Sequence, residues 1–77
     1  MQKPSLGRIV LTHVEPTLNN GERVAPAIIT RVHSHALVNL RVFCDGHAVL
    51  HLTSVELVGA ELRTDRYACC WWPPRVE

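Results

Sequence analysis

Hydrophobic and polar positions alternate with a period of two along much of this chain, most clearly where Val38, Leu40 and Val42 are set against Asn39, Arg41 and Phe43. Side chains of a strand point alternately to its two faces, so residues 37–43 read as a strand with one face in a core and the other partly wet. Residues 27–32 are equally rich in strand formers, and the polar His33-Ser34-His35 between the two runs predicts a β-hairpin. Asp45-Gly46 closes the hairpin with turn chemistry. Pro26 has no N–H to donate, so its strand either begins there or lies on a sheet edge.

The same alternation recurs on both sides. In the stretch from Gly7, Ile9, Leu11 and His13 alternate with Arg8, Val10 and Thr12, which predicts a first strand with Ile9 and Leu11 facing inward. Residues 15–22 are dense in turn formers and contain Asn20-Gly21, a left-handed turn signal, so they read as a long loop. Beyond the hairpin, Ala48, Leu50 and Leu52 oppose His47, Val49 and His51 in a fourth strand, which bends at Thr53-Ser54 toward a fifth piece over 55–58. The inward set is then Ile9, Leu11, Ile29, Val38, Leu40, Val42, Leu50 and Leu52. These elements predict one all-β domain over 1–77, a small SH3-like antiparallel barrel of four to six short strands. The alternative is an α+β domain in which residues 60–69 form a short C-terminal helix. Residues 66–77 carry both tryptophans and the Pro73-Pro74 pair, which continues neither a helix nor a central strand, and read as an extended tail packed on the barrel or on a neighbouring subunit.

Size changes this picture by limiting the core. A chain of 77 residues hides only about 60% of the surface its unfolded form exposes. Apolar residues are 47% and aromatics 5% of the chain, so stability rests on many aliphatic contacts and favours a helper, of which oligomerisation is the simplest here. The apolar tail predicts a homo-oligomer, most simply a two-fold dimer. Eight Lys and Arg against seven Asp and Glu give a net charge of +1, which lends no support to nucleic-acid binding. The N-terminal residues lack the apolar run of a signal peptide, no window approaches a membrane span, and the cysteine count is odd, so the expected location is the cytoplasm, with reduced thiols.

Candidate chemistry is sparse. Cys44, His47, His51, Cys69 and Cys70 are zinc-compatible ligand types, but their spacing matches no paired-knuckle site, and neither a metal nor a cofactor is expected. Cys44 next to Asp45 has no histidine placed to activate it, and Ser54 sits in no nucleophile elbow, so the chain does not read as an enzyme. Trp71-Trp72-Pro73-Pro74-Arg75 is the most informative cluster. Indole faces suit a flat base and a guanidinium suits a phosphate, with Arg8, Asn39 and Arg41 as the residues that would extend such a site. Against this stands the ordinary use of tryptophan as a plug for a core or an oligomer interface.

The chain resembles a group of small proteins encoded by tailed phages and prophages. The likeness rests on Gly7-Arg8-Ile9-Val10, Pro26-Ala27-Ile28-Ile29 with Arg31-Val32, residues 38–43 with Asp45-Gly46, Thr53-Ser54-Val55, and the ending from Trp72 to Val76. It departs at Leu11-Thr12, where relatives carry His-Tyr, at His33, where they carry Trp, and at Cys70-Trp71-Trp72-Pro73 in place of Trp-His-Trp-Pro. The resemblance implies a phage origin, hence the cytoplasm of an infected bacterium, and a small β-barrel; it supplies no activity. Two functions follow as expectations. One is a non-catalytic accessory protein that sequesters a nucleotide-like immune signal in an oligomeric pocket formed by Arg8, Asn39, Arg41, Trp71, Trp72 and Arg75. The other is a structural module that binds a protein through a sheet edge or the Trp-Pro tail.

Overall fold

The alternating runs close on themselves. The computed structural model describes residues 3–46, 48–59 and 69–74, which form β1 (Ile9–His13), a 3-10 turn (Pro16–Leu18), β2 (Val24–Ser34), β3 (Leu37–Val42), β4 (Leu50–Leu57) and β5 (Cys69–Trp71). Neighbouring strands pair in chain order and β5 returns to β1, making a small all-β barrel of five strands within the SH3-like size range. Closure removes the unpaired edges that an open sheet of this length would expose. Among the described residues no helix is long and apolar enough to cross a membrane.

The barrel is antiparallel except at one seam. β4 and β5 run parallel, through Glu56 opposite Cys69 and Leu57 opposite Cys70, while β5 meets β1 antiparallel through Leu11–Trp71 and Thr12–Cys70. Residues 69–71 of the expected extended segment are therefore the closing strand, all three buried, while its residues 66–68 and 75–77 lie outside the described residues. Of the helix considered over 60–69, residues 60–68 lie outside the described residues and Cys69 is in β5.

The interior is aliphatic. Val10, Ala25, Ala27, Ile29, Val38, Leu40, Val42, Val55, Leu57 and Cys70 form one buried cluster, with Leu50, Leu52, Val14, Cys44 and Trp72 packed partly buried against it. Each large aliphatic side chain buried this way contributes about 1.5–3 kcal/mol. In β1 the phase is the reverse of the one expected: Val10 and Thr12 point inward and Ile9 is 46% exposed. Both phases of β1 are apolar enough to be buried. The inward one is selected because the Thr12 hydroxyl donates to the Cys69 carbonyl at 2.8 Å, stapling β1 to β5 inside the barrel.

The hairpin also differs in detail. β2 continues through His33 and Ser34, and the turn is His35-Ala36; the Ser34 hydroxyl accepts from the Ala36 N–H at 3.3 Å. β2 begins before Pro26 and lies between two strands. The proline is tolerated because its carbonyl, which accepts from Phe43 N–H at 2.9 Å, faces the end of β3. Its nitrogen points to the same side, so the missing donor falls where the ladder stops. In β4, which starts at Leu50, the inward phase passes from Leu50 and Leu52 to Val55 and Leu57 across a bulge. Ser54 takes φ +54° there, and its N–H donates to Asn39 Oδ1 at 2.9 Å. The bend expected at Thr53-Ser54 is thus a bulge inside one strand.

Candidate functional site

One pair of the residues singled out for binding is brought together. Because β5 is antiparallel to β1 with Trp71 opposite Leu11, the chain beyond Trp71 runs toward the start of β1 and carries Trp72 to Arg8. The Arg8 guanidinium carbon stands 5.1 Å from the centroid of the Trp72 ring. Trp72 is half-buried against the core cluster, so its ring is a fixed platform. Arg8 is equally anchored at its backbone: its carbonyl accepts from Ile29 N–H at 3.0 Å, and Gly7 N–H donates to the Ile29 carbonyl at 2.9 Å. A guanidinium over an indole presents a second flat face for a base and an edge of N–H donors for a phosphate.

The other residues lie elsewhere. Trp71 is 1% exposed and its ring packs on His13, with centroids 4.8 Å apart and planes tilted by 52°. It has no face left for a ligand to stack on. Asn39 is half-buried on β3, where its Oδ1 serves the Ser54 bulge and lies 2.8 Å from His33 Nε2. That side chain holds backbone together. Arg41 is exposed on the outer face of β3, between Ile28 of β2 and His51 of β4, whereas Arg8 and Trp72 sit at the rim. Arg75 lies outside the described residues.

A polar knot escaped the reading of the sequence. Asn19 is 3% exposed; its Nδ2 donates to the carbonyls of Glu22 and Val24, each at 3.1 Å, and its Oδ1 accepts from Asp45 N–H at 2.5 Å. Beside it Asn20 Nδ2 donates to Asp45 Oδ2 at 3.0 Å. These bonds tie the 15–22 loop to the β3–β4 turn. Asn20 (φ +50°) and Gly21 (φ +89°) supply the left-handed backbone that turns Asn19 inward. Gly46 takes φ +77° at the knot, where a Cβ would come 2.8 Å from Asn20 Nδ2. The local signal was the Asn20-Gly21 pair; that the preceding asparagine would be buried depends on a partner 26 residues away.

Cys44, Cys69 and Cys70 are not joined in disulfides; Cys69 and Cys70 are buried and Cys44 is half-buried. Burial first, and the neighbouring Cys69 second, push the Cys70 thiol from 9.0 up to about 12. A neutral thiol is a poor nucleophile and a poor metal ligand. Among the described residues no three of His, Cys, Asp or Glu gather into a metal-holding group. The raised value has a signed consequence. Unfolded chains lose this proton near pH 9 and folded ones near pH 12, so Cys70 lowers stability as pH rises through that interval, by at most about 1.4 kcal/mol per pH unit. Urea unfolding followed between pH 8 and 11 is expected to show a falling midpoint that flattens in Cys70→Val; an unchanged slope in that variant would assign the fall to other groups.

Comparison with protein families, with curated proteins and with solved structures finds no match for this chain.

Proposed function

We propose that this protein is a non-catalytic phage accessory protein that captures a flat, anionic, nucleotide-like molecule at the barrel rim, such as an immune signal of the infected cell. The observation that carries the reading is the Arg8 guanidinium over the half-buried Trp72 ring. A base laid on the outer face of the Arg8 guanidinium makes the stacking contact that a planar guanidinium offers to aromatic rings. A phosphate beside it takes charge-assisted hydrogen bonds from the arginine. Trp72 directly follows the closing strand and packs half-buried against the core cluster, so little ordering opposes binding.

A second reading is self-association through the outer face of β1–β3. Leu11 lies opposite Pro26, Ile9 lies opposite Ile28, and the Phe43 N–H bonds the Pro26 carbonyl. Ile9 and Phe43 are 46% and 40% exposed. This outward row of apolar side chains, bordered by Arg41 opposite Ile28, is one that two copies can cover by opposing it about a dyad.

The test is a thermal-shift and calorimetric screen against cyclic mononucleotides, cyclic dinucleotides and cyclic ADP-ribose isomers. A ligand of the folded state raises Tm by mass action. Arg8→Ala is expected to abolish binding while the variant stays folded by circular dichroism. Binding that survives in Arg8→Ala removes the nucleotide reading. Silence across the panel, with light scattering above the 8.7 kDa monomer mass, favours the dimer.

A further inference from the structure

The opposite end of β1 holds a cleft of about 180 Å³, lined by His13, Val14, Glu15, Pro16 and Arg23. Its frame is fixed. His13 pairs with Val24, and the Val14 N–H donates to the Arg23 carbonyl at 2.9 Å, so the end of β1 and the approach to β2 are locked across it. Pro16 opens the 3-10 turn, and its carbonyl accepts from both Asn19 and Gly21 N–H, at 3.1 and 2.9 Å, which holds the third wall. The half-buried His13 ring is backed by the fully buried Trp71. Two opposite charges, Glu15 and Arg23, share this cleft, both on exposed residues, and among the described residues no ion pair joins them.

We infer that this cleft binds a small zwitterion of the α-amino-acid class, with its carboxylate on Arg23 and its ammonium on Glu15. Three properties select that class. At about 180 Å³ the cleft is of a size that takes a molecule like glycine, alanine or serine. A simple anion would satisfy Arg23 and face the Glu15 carboxylate, and a simple cation would meet the converse repulsion. A zwitterion answers both charges, and its carboxylate matches the guanidinium fork. The inference is independent of the rim site, since Arg8 precedes β1 at one end and His13 closes it at the other.

Amide chemical shifts of the full-length protein, followed during titration with glycine and with serine, test this. Expected are saturable changes confined to residues 13–15 and 23–24, with acetate and methylamine at least about tenfold weaker. Glu15→Gln and Arg23→Gln are each expected to weaken glycine binding by about tenfold or more, the size of effect that loss of a charge-assisted bond produces, while both proteins stay folded by their spectra. The inference is overturned if glycine gives no saturable change up to ~100 mM, well above the millimolar range of a weak specific site. It is equally overturned if acetate alone binds as well as glycine, or if neither substitution weakens binding.

Discussion

Replacing Trp71 with alanine is expected to destabilise the protein by about 3–5 kcal/mol, the cost of emptying a buried tryptophan site. Trp71 heads the fully buried side chains by size and sits on the strand that closes the barrel. Its loss would leave a cavity against His13 and loosen a seam of few paired residues, Leu11–Trp71 and Thr12–Cys70. Domains of this length are typically stable by only about 4–12 kcal/mol, so the variant should be largely unfolded at moderate urea where the parent is folded. Trp72→Ala, which empties a half-buried site, should lose distinctly less. Urea unfolding followed by circular dichroism gives both values; a loss below about 1 kcal/mol for Trp71→Ala would show that the site refills.

The second large effect is expected at Asn19. Asn19→Leu keeps the approximate size of the side chain and removes its hydrogen bonds to Glu22, Val24 and Asp45. A buried polar group deprived of its partner costs about 1–3 kcal/mol. The bonds act as one unit, so a total of about 3 kcal/mol is expected in place of a simple sum. Asn19→Asp separates the roles: its carboxylate still accepts from Asp45 N–H but confronts the carbonyls of Glu22 and Val24. It should therefore also destabilise, where a mere need for an acceptor would leave it neutral. Hydrogen exchange localises the effect, because the amide of Asp45 should lose protection in the leucine variant before the amides of β3 do. Unchanged protection at Asp45 would show that the knot does not hold this turn.

Amino-acid type set several features without help from the rest of the fold. β3 has β-branched and leucine residues on one face and polar or aromatic residues on the other, so only one of its phases can be buried, and Val38, Leu40 and Val42 are indeed the inward set. Asn20-Gly21 and Asp45-Gly46 announce turns because they tolerate left-handed backbone, and positive φ occurs at Asn20, Gly21 and Gly46. The chemistry at the rim was partly legible: Arg8 and Trp72 were recognisable as stacking and anion-binding groups from their side chains alone.

Tertiary structure decided what local pattern leaves open. A period of two fixes alternation but not its sign when both faces are apolar, so β1 settled on Val10 and Thr12 only through the Thr12 hydroxyl and a carbonyl 57 residues away. Trp71 and Trp72 are alike in sequence; pairing with Leu11 buried the first, and the turn of the chain past the barrel seam left the second half-buried under Arg8. Asn39 looked like an outward polar residue until the bulge at Ser54 placed an N–H against it. The physical reason is common to these cases. Alternation and turn preference are set by each residue's own sterics, whereas the choice between equivalent faces, or between neighbouring tryptophans, depends on which distant hydrogen-bonding group or strand arrives opposite when the barrel closes.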